Sequence, residues 1–314
     1  MSDKIIVVGS YSVGLFFNGR CIPNVGETRT AEKFFETFGG KGSNQAVTAA
    51  KLGGNTKFIC KLGKDHYADA AIEMYKEVGL YGDSILQDDV EPTSVGCITV
   101  DENGNNAIII NLGANLKLTS KEVIDIIKAE PEKPFIVGFQ LENDPEMVIE
   151  SIKACSEMGI PTLLDPAPVA PLPEWTYPHI TYIKPNEHEA SLLSGIAIHN
   201  KEDAFRAGRW FLDAGVCEAI ITLGEMGTVY VTREQELYFP TFKVDVVDTT
   251  GAGDNFSGAL MKAMCDGKSM PEAIIYANCT ASLSVTKPGV TEAVPSIEEV
   301  EALYAEKMKE VNKE

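Results

Sequence analysis

The run Asp248-Thr249-Thr250-Gly251-Ala252-Gly253-Asp254 sets the residue types that hold an oxyanion beside one that accepts a proton. An extended run, Phe242 to Val247, leads into it, and Asn255 to Leu260 reads as the body of a helix. Gly251, Ala252 and Gly253 let a ligand approach the backbone closely. The first amides of a helix lack intrahelical partners, and the helix dipole is positive at that end. Such a place attracts phosphate or another oxyanion. An acid at Asp254 is a poor neighbour for an anion unless it has a task. Taking a proton from a hydroxyl that attacks a phosphoryl group is such a task. The same pattern also suits an ordinary helix start with an acidic first turn.

The elements around this run must place it. Ile5 to Val8 is a continuous β-branched stretch ended by Gly9, which suits a strand buried on both faces. Residues 10 to 38 carry turn signals (Asn18-Gly19, Pro23-Asn24, Gly26) between short β-capable pieces, Leu15-Phe16-Phe17 and Lys33-Phe34-Phe35. Phe38-Gly39-Gly40-Lys41-Gly42-Ser43-Asn44-Gln45 then precedes a helical Ala46 to Leu52. Lys57 to Leu62 reads as a strand and Asp65 to Val78 as a helix. Gly96 to Val100 and Asn106 to Ile110 form a hairpin pattern around Asn103-Gly104. Afterwards strands and helices alternate. Thr119 with Glu122 makes a capping box for a helix through Lys128, and Asn143-Asp144-Pro145 opens a helix that Gly159 closes. Strands are expected at Phe135 to Phe139, Ile160 to Leu164, Ile180 to Ile183 and Glu218 to Leu223. A helix reaches Ala214, and a hairpin joins Gly227–Arg233 to Glu236–Phe239. The helix opened by Gly253 is followed by another near Pro271 to Ser284, and Ser296 with Glu299 caps the last.

This alternation predicts an α/β fold, a mainly parallel sheet flanked by helices on both faces. The short β pieces predict a small second sheet forming a lid over residues 12–38 and 93–110. Residues 1–11, 39–92 and 111–314 form the main body. Ligands of such folds lie at the carboxyl ends of the strands. Gly9-Ser10, Asp165, Lys184-Pro185-Asn186, Leu223-Gly224 and Asp248 to Asp254 are therefore expected to line one crevice.

The 314 residues suffice for a large core, and the net charge of −19 disfavours a nucleic-acid backbone or an anionic membrane as partner. Seven scattered cysteines without a CxxC suggest neither a zinc site nor a disulfide framework. Reduced thiols in the cytoplasm are the simplest reading. Met1-Ser2-Asp3-Lys4 leads into the first strand with no signal-peptide shape, and no apolar stretch approaches the roughly 20 residues that span a bilayer.

Five motifs in order give the chain a resemblance to the ribokinase (PfkB) family of carbohydrate kinases over nearly its whole length. They are Gly39-Gly40-Lys41-Gly42-Ser43-Asn44-Gln45-Ala46, Asp165-Pro166-Ala167-Pro168, Pro185-Asn186-Glu187-His188-Glu189, Thr222-Leu223-Gly224-Glu225-Met226-Gly227, and Asp248 through Phe256. The Gly-Lys-Gly-x-Asn-Gln form looks most like the ribokinase branch. The resemblance implies transfer of the γ-phosphoryl of ATP to a primary hydroxyl of a sugar, most simply ribose or a related pentose. A nucleoside or ketohexose acceptor, or a non-catalytic sugar-binding regulator, remain the rival readings.

By that resemblance Asp254 is the catalytic base, and Gly251, Ala252 and Gly253 form the anion hole. Gly39, Gly40, Lys41, Asn44 and Glu142 hold the sugar. Asn186 and Glu189 place Mg²⁺ and phosphate. Thr222, Gly224, Gly227 and Asn278 contact the nucleotide; the chain has no GxxxxGK[ST], so it is not a P-loop ATPase. Asp248, Thr250, Ser284 and Gly289 belong to a monovalent-cation loop suited to K⁺, with Ala293 where the family has a serine. The resemblance also implies a homodimer through the lid. The chain departs from the family at the first strand's end. Gly9-Ser10-Tyr11-Ser12-Val13-Gly14 has Ser12 for an asparagine and Gly14 for an aspartate that grips sugar hydroxyls. Altered acceptor specificity is expected, with Tyr11 or Asn18 compensating, or Gly14 leaving room for a larger acceptor.

Overall fold

The computed structural model describes residues 3–80 and 82–311. Met1 and Ser2, the first residues of the stretch read above as lacking a signal-peptide shape, lie outside them. The strands are β1 (Lys4–Val8), β2 (Ser12–Asn18), β3 (Lys33–Gly39), β4 (Asn55–Leu62), β5 (Ile85–Gln87), β6 (Val95–Val100), β7 (Asn106–Asn111), β8 (Ile136–Gln140), β9 (Thr162–Asp165), β10 (Tyr182–Ile183), β11 (Glu218–Thr222), β12 (Thr228–Val231) and β13 (Glu236–Phe239). The helices are α1 (Lys41–Lys51), α2 (His66–Glu77), α3 (Ser120–Lys128), α4 (Pro145–Glu157), α5 (Glu187–Ser194), α6 (Lys201–Ala214), α7 (Ala252–Cys265), α8 (Met270–Ser284) and α9 (Ile297–Val311).

The large sheet runs β13-β12-β11-β10-β9-β8-β1-β4-β5. It is parallel from β11 to β5, and β12 is antiparallel to both its neighbours. Its centre explains the unbroken apolar run of β1. Ile5 and Val7 enter one core with Phe58, Phe256 and Leu260, under α1, α2, α7, α8 and α9. Ile6 and Val8 enter the other with Val137, Phe139 and Phe211, under α3, α4, α5 and α6. A strand with both faces covered needs no polar alternation. Local chemistry fixes the helix starts. The Thr119–Glu122 capping box forms as the sequence implies, Asp144 caps α4 ahead of Pro145, and Ser296 pairs with Glu299.

The second sheet, β3-β2-β6-β7, is the one expected from the short β pieces. Only Gly9, Ser10 and Tyr11 separate β1 from β2, so the chain passes directly from one sheet to the other. One face of the small sheet near this junction carries Val13, Leu15 and Phe38, which pack on the main core. The opposite face carries Ser12, Gly14 and Phe16 beside Gly39, Thr37 and Phe35.

Several local expectations fail for identifiable reasons. Phe242 to Val247 forms no strand, because Pro240 stops the sheet edge after β13; Val247 instead donates to the Val285 carbonyl at 2.8 Å. Ile160 and Pro161 stay outside β9, since the Ile160 amide closes α4 on the Cys155 carbonyl and Pro161 has no amide to give. Ile180 bonds back to Tyr177, so β10 is only two residues long. The short strand β5 has no counterpart in the sequence reading. Helix α7 begins at Ala252 rather than Gly253, with Gly251 as its left-handed cap at φ 75°.

Candidate active site

Every parallel strand of the large sheet delivers its carboxyl end to the same side. Ser10 follows β1, Glu142 follows β8, Asp165 ends β9, Lys184 follows β10 and Thr222 ends β11. The start of α7 reaches the same place from the irregular 240–250 segment. The Ala252 amide is engaged with the Thr249 carbonyl at 3.2 Å, so Gly253 and Asp254 supply the first-turn amides. Gly253 is exposed while Asp254 is buried.

Asp254 meets two amide side chains from α1. Asn44 Nδ2 donates to Oδ2 at 2.8 Å and Gln45 Nε2 to Oδ1 at 3.3 Å. Burial pushes the Asp254 carboxyl up to about 6. Asp165 and Glu142 add to that rise, while the Lys41 ammonium and the Asn44 hydrogen bond oppose it. Lys41 is in turn held well above its ordinary range, chiefly by Asp254. Asn44 Oδ1 is buried with no partner among the described residues, and the Cβ that Gly39 lacks would lie 4.0 Å from it. An unpartnered acceptor beside the base suits a ligand hydroxyl.

The glycines before α1 are needed for close approach. Gly40 has φ 92°, and a side chain there would meet the Tyr11 Cα at 2.7 Å. Glu142 pins this turn: its Oε2 accepts the Lys41 amide at 2.8 Å and the Ser10 hydroxyl at 2.5 Å. Glu142 is thus a brace of the glycine turn as well as an acid in the crevice.

The departure at Ser12 and Gly14 takes an unexpected form. Gly14 sits opposite Thr37 on β3 and beside Gly96 on β6. A Cβ at Gly14 would lie 2.8 Å from Thr37 Oγ1 and 3.0 Å from the Phe16 ring. The space is therefore closed by Thr37 rather than left for a larger acceptor. Ser12 Oγ accepts from the buried Ser94 hydroxyl at 2.9 Å. Tyr11 does not compensate: its ring lies in the core between Phe38 and Tyr75. Asn18 does not either, since it ends β2 opposite Lys33, at the end away from Gly39.

At the other end, Asn186 and Glu189 cap α5 reciprocally, at 2.8 and 2.9 Å. Burial raises the Glu189 carboxyl. Asn186 also bridges to Thr222. Gly224 (φ 54°) and Gly227 (φ 94°) make the tight turn between β11 and β12, and a side chain at Gly227 would strike the Phe239 carbonyl. Asn278 Oδ1 accepts from Thr228 at 3.1 Å, leaving its buried Nδ2 unpartnered among the described residues. Asp248 accepts the Thr250 amide at 2.9 Å and the Gly289 amide at 3.3 Å. These bonds hold its carboxyl low although burial works against them. The Ser284 hydroxyl is turned to its own helix, onto the Ala281 carbonyl, and Ala293 is buried.

The structure therefore joins Asp254, Lys41, Asn44 and Glu142 in one cluster, with Gly39, Gly40 and Ser12 along its edge. Asp248 and Gly289 meet directly, and so do Asn186, Glu189 and Thr222. Sequence reasoning passed over Gln45, Gln140, Ser257 and Thr37 as site residues, and gave Asp165 and Lys184 no role beyond lining the crevice. Gln45 lay inside a quoted motif, and Asp165 and Lys184 at strand ends, so position was the available signal.

A buried carboxylate beside an open, glycine-lined helix start is the layout of an enzyme that activates a hydroxyl against an anionic group. The chain belongs to the pfkB family of carbohydrate kinases, whose description matches residues 2–297. It is 37% identical to the ribokinase of Bacillus subtilis over 303 residues, covering 96% of this chain and 99% of that one. It is 35% identical to the deoxyribokinase of Salmonella typhi over 296 residues, covering 94% and 96%. The structure of Arabidopsis thaliana ribokinase complexed with ribose and ATP superposes with a TM-score of 0.90 at 31% identity, covering 97% and 99%.

Proposed function

We propose that this carbohydrate kinase transfers the γ-phosphoryl of ATP to the primary hydroxyl of ribose or a closely related pentose. The observation that carries the reading is the Asp254 carboxylate, buried between Asn44 and Gln45 and one residue beyond the exposed Gly253. Asp254 takes the hydroxyl proton. Asn44 and Gln45 fix its orientation, and the first-turn amides of α7 meet the charge that develops on the phosphoryl group. The unpartnered Asn44 Oδ1 and the Gly39-Gly40 turn hold the acceptor, with Lys41 and Glu142 around it. Thr222, Gly224, Gly227 and the free Nδ2 of Asn278 receive the nucleotide. The Arabidopsis complex supports ribose and ATP as the substrate pair.

Mg²⁺ fits near Glu189. No three metal-binding side chains gather among the described residues, and one carboxylate with retained waters and phosphate oxygens is a set Mg²⁺ accepts. Bound there, it would neutralise phosphate charge. K⁺ fits the Asp248–Gly289 loop through an ionised Asp248, with Thr250 and the Ser284 carbonyl nearby, although Ala293 adds no hydroxyl. Free cysteines support a reducing cytoplasmic setting, and no described helix is long and apolar enough to cross a membrane.

The acceptor end favours a refinement. A carboxylate that grips a diol rejects an analogue lacking one hydroxyl far more strongly than a neutral hydroxyl does, since each neutral hydrogen bond is worth only about 1 kcal/mol net. Thr37, Ser12 and Ser94 offer neutral hydroxyls only. The expected result is that kcat/KM for ribose and 2-deoxyribose differ by no more than about tenfold, and that Thr37→Val narrows the gap further. A coupled ADP-release assay with ribose, 2-deoxyribose, a nucleoside and fructose measures this. A preference for ribose above about 10³-fold would overturn the refinement. Saturable sugar binding without turnover of any acceptor would favour a regulator instead.

Residues 12–38 and 93–110 act as the lid in this reading, and the rest as the body. The lid exposes Phe34 on one edge strand and Ile108, Ile109 and Ile110 on the other, Ile109 being 80% exposed. Open edges of this kind invite pairing, which supports a homodimer through the lid. Ile109→Glu is expected to shift sedimentation from dimer to monomer.

A further inference from the structure

Behind the base and its Gln45 partner lies a chain of buried polar groups to which the proposed chemistry has given no role. Asp165 ends β9 and Lys184 follows β10. Their side chains are only 4% and 3% exposed, with Lys184 Nζ 2.8 Å from Asp165 Oδ2. Each partner reaches further. Lys184 Nζ donates to the Gly253 carbonyl at 3.2 Å. The single Ser257 hydroxyl proton is within reach of that carbonyl, at 3.0 Å, and of Asp165 Oδ2, at 3.2 Å, and is shared between them. Gln45 Nε2 is shared between Asp165 Oδ2 (3.1 Å) and Asp254 Oδ1 (3.3 Å). Gln140 Nε2 holds Gln45 in place through its Oε1 at 2.7 Å.

From this geometry we infer that Asp165 and Lys184 are positioning residues for phosphoryl transfer. Through Gln45 they fix the Asp254 carboxylate, and through the Gly253 carbonyl they fix the peptide units at the start of α7. The inference rests on the kinase reading above and assigns a role to that same site.

The physical case is one of cost. A buried ion pair gains little net stability, because desolvation offsets the attraction, and apolar replacement of both partners is often neutral. Here the pair spans the two things a transfer centre must hold still. One is the base, through Gln45; the other is the helix start, through Gly253. An ideal Cβ on Gly253 would lie 3.4 Å from Lys184 Nζ, so the ammonium also lies close against that first turn. Displacement of about 1 Å at such a site costs on the order of 10²-fold in rate.

The charges facing Asp254 come from several elements. Lys41 stands at the start of α1, Glu142 after β8 and Asp165 at the end of β9; Lys184, after β10, screens Asp165 directly, and Glu189, on α5, faces Lys41. Removing one charge of the pair must therefore move the acid limb of the pH–rate profile. Asp165→Asn removes a negative neighbour and is expected to shift the limb to lower pH. Lys184→Met leaves the Asp165 charge unscreened and is expected to shift it to higher pH.

The experiment compares Asp165→Asn, Lys184→Met and the double variant by kcat, both KM values, the pH profile and thermal unfolding. The double variant buries no unpaired charge, so it keeps the fold testable even where a single variant unfolds. The expected result is a double variant with near-wild-type unfolding temperature and both KM values within about threefold, but kcat lowered about 10- to 10²-fold. A folded double variant with unchanged kcat, or folded single variants whose acid limbs do not move, would overturn the inference. Wild-type protein that turns over no acceptor would instead strike at the kinase reading, which separates the two failures.

Discussion

Asp254→Asn is expected to lower kcat/KM for the acceptor by about 10³-fold or more while ATP binding is retained. The substitution keeps the size of the side chain and removes its proton affinity. It also breaks the local hydrogen-bond pattern. Both carboxylate oxygens accept from amide groups, Asn44 Nδ2 at one and Gln45 Nε2 at the other. An asparagine must turn its own NH₂ toward one of them, so a donor faces a donor. Lys41 loses the neighbour that does most to keep it charged. The wild-type enzyme adds a second expectation with a definite sign. Burial first, and Asp165 and Glu142 after it, place the Asp254 carboxyl near 6. The base is active only when ionised, so kcat/KM should be flat above that value and fall about tenfold per pH unit below it. Steady-state kinetics from about pH 5 to about pH 8 check both the limb and its absence in Asp254→Asn. Residual activity in the variant with the same acid limb would show that another group is the base.

The sequence made the two ends of this chemistry legible, because each depends on local residue order. The glycine turn before Asn44, the Gly251-to-Asp254 run and the Asn186–Glu189 box all bring their residues together within a few positions. The alternation of strands and helices was legible for the same reason, and β1 announced its two-sided burial by its composition. What joins these ends was not. Gln45 touches Asp165 across 120 residues and Asp254 across 209, and nothing in the local pattern of any of the three signals that contact. The fate of Gly14 was equally hidden. A missing side chain reads as room, but whether the room survives depends on Thr37, which the pairing of β2 with β3 sets opposite it. The stretch before Asp248 misled for a different reason. Its residue types suit a strand, yet Pro240 had already ended the sheet that would have used it.

Gly251→Ala is the second substitution expected to act strongly, and it separates geometry from charge. Gly251 is the left-handed cap of α7, with φ 75°, and a Cβ there would lie 2.4 Å from Val290 Cγ1. Its carbonyl also accepts both the backbone and the side-chain amide of Asn255 at 2.8 and 2.9 Å. Alanine must move either the helix start or the segment carrying Val290, which follows Gly289, the amide partner of Asp248. The first-turn amides then point away from where the phosphoryl charge develops. Loss of one such donor costs about 10²- to 10³-fold in kcat, so a fall of that size is expected with little change in acceptor KM. Gly104→Ala is the matched control. Gly104 has φ 81° and open space around it, in the loop between β6 and β7. It bears the same backbone strain and none of the steric conflict. Equal kinetic losses in the two variants would mean that strain alone weakens the protein. A loss confined to Gly251→Ala, with similar unfolding temperatures, would assign the effect to the aim of the α7 amides. That aim is the part of the transfer centre that charge-removing substitutions at Asp254 leave untested.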